Sequence, residues 1–143
     1  MSHQDYHADD CVFSVPTGYV DRSVHILEWP IDRVEKVVLV VQREARRAGE
    51  TLDAYVERAM SDHATKLAGY AREPVTDRDG APHVRRVAFR WMREGFAVFQ
   101  HQAFVEEGPS VLLFAGTAKA RYRDEVDRVL DRVIDSLRFR EGA

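Results

Sequence analysis

Residues 96–105, Phe-Ala-Val-Phe-Gln-His-Gln-Ala-Phe-Val, read as a strand that is apolar on both faces. Alternation across the pleat sends Phe96, Val98 and Phe104 to one side with Gln100 and Gln102. It sends Ala97, Phe99, Ala103 and Val105 to the other with His101. An antiparallel strand in a small protein usually shows one apolar and one wet face. The neighbouring segments repeat the anomaly, because residues 37–41 (Val-Val-Leu-Val-Val) and 111–115 (Val-Leu-Leu-Phe-Ala) are apolar at every position. Only two helices are available to cover this sheet. Laid side by side they cover about one face, so the other is expected to need a partner.

The remaining elements follow from the same periodicities. Residues 12–16 form a short extended segment closed by Pro16, and 20–29 a strand with Val24 and Ile26 on one face and His25, Leu27 and Trp29 on the other. A strand over 37–42 precedes a charged loop over 43–50. Thr51 is placed to cap a helix of about four turns, with Asp53 in its first turn and Leu52, Tyr55, Val56, Met60, His63 and Leu67 at helical spacing. Pro74 and the Asp79-Gly80 pair mark a bend or hairpin. Strands over 84–92, 96–105 and 110–116, joined by turns at 93–95 and 106–109, form an antiparallel meander. The last helix, over 120–137, carries one apolar stripe of Tyr122, Val126, Val129, Leu130, Val133, Ile134 and Leu137. Phe139 follows as a short terminal strand. Strands, helix, strands, helix predict an α+β fold with a central, mainly antiparallel sheet and two principal helices.

Composition narrows the picture. A chain of 143 residues, 45% of them hydrophobic, suits a single domain over 1–143, with a polar N-terminal tail over about 1–10. The formal charge of −3 comes from 24 acidic and 21 basic side chains spread along the chain. That lacks the one-sided basic surplus a nucleic-acid or anionic-membrane footprint needs. One cysteine, Cys11, permits no internal disulfide and fits a reducing compartment. The first residues show neither a basic nor an apolar signal region, and no apolar run approaches the roughly 20 residues that span a bilayer. The expectation is a cytoplasmic protein without stable membrane insertion.

A search for chemistry finds little. The six histidines include His3 and His7, four apart, but in a polar stretch without helix signals. His25, His63, His83 and His101 are scattered singly, and no set has metal-ligand spacing. Cys11 lacks the basic or helix-start surroundings that favour a thiolate. No glycine loop is built for phosphate, since Gly95, Gly108 and Gly116 close or flank strands. The carboxylate pairs Asp9-Asp10 and Glu106-Glu107 are adjacent residues that do not converge on a substrate. No catalytic residue, metal or cofactor is predicted. Gln100 and Gln102 differ, because they share a strand face with large apolar residues. They are either a solvent-lapped edge or a hydrogen-bonding pair on an apolar binding surface, able to donate and accept without imposing charge.

In order along the chain, Phe13-Ser14-Val15-Pro16, residues 21–27 (Asp-Arg-Ser-Val-His-Ile-Leu) and residues 39–43 (Leu-Val-Val-Gln-Arg) resemble the Eag chaperones of type VI secretion systems. So do Thr51-Leu52 with Tyr55-Val56 and Arg58, Asp79-Gly80 with Pro82, Phe89 with Trp91, Gln100, Gln102 and Phe104, and residues 136–140 (Ser-Leu-Arg-Phe-Arg). The wider superfamily includes DcrB, PsbP and Mog1. The resemblance implies a Mog1/PsbP-like α+β fold. It also implies a cytoplasmic homodimer whose concave apolar surface shields the N-terminal transmembrane helices of a secreted effector. Carried over by position, Val24 and Ile26 match apolar groove residues, and Gln100 or Gln102 the groove glutamine. Leu39 and Val98, from the adjoining apolar strands, complete the expected groove. The chain departs from the family where a second glutamine often follows the Tyr-Val-x-Arg pattern, since Ala59 stands there. A binding module of the same fold with another protein partner is the alternative, and a small-molecule enzyme or lipid carrier a third.

Overall fold

The computed structural model describes residues 2–78 and 81–140. Nine strands and two helices follow in the order β1 (His3–His7), β2 (Val12–Pro16), β3 (Val24–Pro30), β4 (Lys36–Ala45), α1 (Leu52–Lys66), β5 (Ala71–Arg72), β6 (Thr76–Arg78), β7 (Ala81–Arg93), β8 (Phe96–Glu107), β9 (Ser110–Lys119) and α2 (Arg123–Ser136). A single 3₁₀ turn, Ala120–Tyr122, leads into α2. Seven strands form one sheet ordered β3-β4-β9-β8-β7-β5, with β6 also paired to β7, and every pairing is antiparallel. This is the expected α+β architecture with two principal helices.

Three differences from the sequence reading have physical reasons. Residues 3–7 are not a tail, since β1 pairs antiparallel with β2 in a separate two-stranded hairpin. Its Tyr6 ring lies 5.1 Å from Phe13 and 5.7 Å from Tyr19. Cross-strand aromatic contact of this kind steadies a pairing that polar composition alone does not announce. Residues 137–140 after α2 form no strand, and Phe139 is exposed. The Asp79-Gly80 bend lies outside the described residues.

The third difference is the most consequential. The helices do not lie side by side. Leu52, Tyr55, Val56 and Met60 of α1 pack with Val87, Phe89, Phe104, Val111 and Leu113. Val126, Leu130 and Ile134 of α2 pack with Val37, Leu39, Val84, Ala88, Phe99, Ala103 and Phe114. The two sets have opposite parity along every shared strand, so the helices sit on opposite faces of the sheet. The side-by-side placement expected from the sequence does not hold, because two apolar stripes do not reveal which side each helix covers.

Local chemistry fixes this arrangement. Thr51 Oγ1 accepts the Ala54 N–H at 3.1 Å and caps α1 as its sequence predicts. The two-residue loop between β7 and β8 places Glu94 and Gly95 at φ 50° and 87°, the mirror-image turn that matches strand twist. Gly116 lets α2 approach closely, since a Cβ there would stand 3.1 Å from Val126 Cγ1.

Candidate functional site

Because α1 lies toward β7 and β8, its face of the sheet is only partly covered. The register pairs Val24 with Gln42 and Ile26 with Val40, so β3 and β4 present these four side chains on the α1 side. Val24 is 49% exposed and Ile26 64%. Between this open half-face and α1 runs a cleft of about 700 Å³, floored by Val40, Gln42, Gln100, Gln102, Leu113 and Ala115 and walled by Tyr55, Arg58, Ala59, Asp62 and His63.

Four of the six predicted groove residues thus share one side, Val24, Ile26, Gln100 and Gln102, and Val98 joins them by strand parity. Val98 itself is only 4% exposed, beside Trp91 and Lys119 in the register, and does not line the cleft. Leu39 is a correction. It is 1% exposed on the opposite face, packed with Leu130, Ile134 and Phe114. A one-residue step along a strand reverses the face, and Leu39 stands one step from Val40.

The charged groups of the cleft are largely engaged with one another. The Tyr55 hydroxyl donates to the Glu44 carboxylate, and burial together with that carboxylate raises the phenol well above its usual range. Gln42 Nε2 donates to the other Glu44 oxygen at 2.8 Å. Arg58 holds Glu50 in a two-pronged pair, Nε at 2.8 Å and a terminal nitrogen at 2.7 Å, and stacks its guanidinium 5.1 Å from the Tyr55 ring centre. That pairing lowers Glu50 to about 2. These side chains are occupied with one another.

Gln102 is the contrast. It is 2% exposed, and its Oε1 has no hydrogen-bond partner. Its Nε2 lies 3.3 Å from His63 Nε2. The His63 ring stacks 5.1 Å from Phe89, and burial lowers its pKa below the ordinary histidine value. Sequence reasoning passed over His63 and Glu44. His63 carried a signal, a polar residue on the apolar stripe of α1. Its charged neighbours place Glu44 in a loop, yet β4 runs on to Ala45 and turns it into the cleft. Among the described residues no group of three or more His, Cys, Asp or Glu side chains is placed to hold a metal ion. No helix of the described residues is long and apolar enough to cross a membrane.

The DcrB family model matches residues 11–136, so the chain belongs to the DcrB family. It is 24% identical over 110 residues, 76% of each chain, to the Pseudomonas aeruginosa protein named Effector EagT6. It superposes with a TM-score of 0.80 on the crystal structure of protein PA94 from Pseudomonas aeruginosa, described as a putative regulator of unknown function. That match has 20% identity and covers 98% of this chain and 99% of the other. The solution structure of PsbP from the cyanobacterium Synechocystis sp. PCC 6803 matches with a TM-score of 0.54 and 16% identity, over 94% of this chain and 91% of that one. At these identities the structural matches establish the fold, a PsbP-like sheet with helices on it.

Proposed function

We propose that this member of the DcrB family is a cytoplasmic chaperone dedicated to a secreted effector, and that it shields hydrophobic helices of that client in the cleft beside α1. The observation that carries the reading is the open half-face. Val24 and Ile26 remain exposed on the same side of the sheet as a cleft floored by Val40, Leu113, Ala115 and the two glutamines. Apolar side chains left exposed beside a cleft favour an interaction site. Covering each aliphatic or aromatic side chain of a client contributes roughly 1.5–3 kcal/mol, so several together bind tightly without any chemistry. Gln100 and Gln102 add hydrogen-bonding groups of the kind helices find within membranes. The relative named Effector EagT6 supports an effector-associated role, and the paired charges of the cleft favour binding over catalysis.

A homodimer belongs to the same reading. Nine large apolar side chains between Val12 and Val34 are exposed, among them Phe13, Val20, Leu27 and Trp29. Leu27 and Trp29 lie on the side of β3 away from the cleft, so a second copy can cover them while the client covers Val24 and Ile26. Ala59 lines the cleft where the resemblance implies a second glutamine, so the client here differs in what it asks of that wall, or the protein serves outside the secretion context.

The test is co-expression with an effector that carries apolar N-terminal helices, followed by pull-down and light scattering. Client capture by the wild type and its loss in Ile26→Asp, with the fold retained, supports the reading. Undiminished capture by Ile26→Asp contradicts it, and a stable monomer at micromolar concentration contradicts the dimer.

A further inference from the structure

Two carboxylates line the cleft, and they are matched differently. Asp62 pairs with Lys66 at 2.9 Å. Glu44 is held by neutral donors, the Tyr55 hydroxyl on one oxygen and Gln42 Nε2 at 2.8 Å on the other. The arginines lining the cleft, Arg47 and Arg58, both bear on Glu50, and Arg58 is bonded to it through two nitrogens. Nearby, Arg43 pairs with Glu107 and Arg46 with Glu106. Among the described residues no cation pairs with Glu44, so its charge is oriented but not neutralised.

β4 sets this carboxylate at one end of the open half-face. Glu44, Gln42, Val40, Val38 and Lys36 share the cleft side of the strand by parity. From Glu44 to Lys36 the strand runs about 27 Å at its usual rise. A helix covers that distance in about 18 residues, close to the length that crosses a bilayer. At the far end the cation is already matched, with Lys36 Nζ 3.0 Å from Glu28 Oε2. The Glu44 end alone holds a charge without a counter-ion.

We propose that Glu44 receives the basic flank of the client's apolar segment, a lysine or arginine where the helix ends, so that the apolar run lies from the Tyr55 end of the cleft toward Lys36. The inference rests on the cleft being the client groove and specifies how a client is placed along it. An ionised carboxylate has about four acceptor positions, and the bonds from Tyr55 and Gln42 leave room for an ammonium or guanidinium. Those same bonds fix the carboxylate beforehand, so little further ordering is needed when the cation arrives. Lysine and arginine commonly flank membrane-crossing helices. Their long apolar stems let the charge reach the end of the cleft while the helix itself lies on Val40 and Val38.

The experiment uses the full chain and synthetic leucine–alanine helices of roughly 20 residues, the span of a membrane helix. The parent carries glutamines at both ends. Its variants carry a lysine at one end, a glutamate at one end, or a lysine at the centre. Fluorescence anisotropy at low salt is expected to show the end-lysine helix binding about fivefold tighter than the parent, the upper yield of a partly exposed ion pair. The end-glutamate and centre-lysine helices should bind no better than the parent, and added salt should narrow the lysine advantage. Glu44→Gln keeps the shape of the side chain and an acceptor for Tyr55. It is expected to erase the lysine advantage and leave the parent's affinity unchanged, while Asp62→Asn keeps the advantage. Equal binding of the end-lysine helix and the parent overturns the inference and leaves the groove reading in place. So does an advantage that survives Glu44→Gln or is lost in Asp62→Asn. If no helix binds, the groove reading falls and the inference with it.

Discussion

On one face of the sheet α2 lies across β8 and β9 and sets Val126, Leu130 and Ile134 over Leu39, Phe99 and Phe114; on the other, α1 stands toward β7 and β8 and leaves Val24 and Ile26 in contact with solvent. Both faces carry large apolar side chains, so hydrophobicity alone does not separate them. The helices do. Both stripes run the length of their helices, to Leu137 after α2 and to Leu67 after α1, but between Met60 and Leu67 the inward position of α1 is the polar His63. The polar groups differ in the same sense. His101 and Arg86 on the α2 face meet Asp127 at 2.7 Å and Asp131 at 2.6 Å. On the α1 face Gln102 keeps an unpaired oxygen. The proposed groove lies on the face where an uncharged buried side chain, bonded to the helix of that face only through His63, keeps an acceptor free.

The strongest attempt to break this distinction places one charge on each face. Leu130→Asp puts an unpaired carboxylate where the wild-type side chain is fully buried, and should cost several kcal/mol and cooperative thermal unfolding. Ile26→Asp keeps its charge hydrated on the open half-face and should melt close to wild type. Unfolding of Ile26→Asp would falsify the assignment of that side of β3 to solvent and client.

A gentler comparison uses strands that are hydrogen-bonded neighbours. Leu39→Ala on β4 removes a buried side chain and should destabilise by about 2–5 kcal/mol in chemical denaturation. Ile26→Ala on β3 should stay within about 0.5 kcal/mol, as surface substitutions do. Similar losses for both would mean that the free chain already covers Ile26.

Much of this contrast was legible in the sequence, for reasons that also set its limits. Strict alternation in residues 96–105 put Gln100 and Gln102 on one side and His101 on the other, and the register agrees. The same rule separated Val24 and Ile26 from Leu27 and Trp29. Membership of Leu39 in the groove failed because a run apolar at every position offers no contrast to tell one face from the other. The placement of the helices was equally hidden, since a stripe says that a helix is covered and not on which side. His63 was visible as a break in the α1 stripe. Its significance appears only when β8 brings Gln102 to within 3.3 Å across 39 residues of chain.

A substitution of opposite sign sharpens the comparison further. Gln102→Leu combined with His63→Phe replaces both members of the 3.3 Å pair, and the unpaired oxygen, by apolar groups of similar size, so the free protein should gain on the order of 1 kcal/mol while client affinity falls. A residue that serves the fold would lose both together. Denaturation of the client-free variant beside its client affinity separates the two cases.

The smallest expected effect is acid dependence, where each face contributes one histidine. Burial lowers His63 and His101 below the ordinary value of 6.5, against the opposing pull of Asp62 and Glu44 on the first and Asp127 and Asp131 on the second. Lys66 and Arg86 reinforce the lowering. A histidine depressed in the folded state leaves the unfolded chain binding more protons, so its contribution is intact above 6.5 and is lost as pH falls toward the folded value. Melting between about pH 7.5 and 5.5 should therefore show a modest acid loss, lessened in His63→Gln and in His101→Gln. Paired carboxylates such as Glu50, near 2, enter only at lower pH. Client binding should tell the faces apart. A helix seated in the cleft strips more water from His63 and leaves His101 under α2 unchanged, so affinity should fall with acid in wild type and in His101→Gln. In His63→Gln that dependence should disappear. If it disappears in His101→Gln as well, the two faces are coupled through the sheet and the client is felt on both.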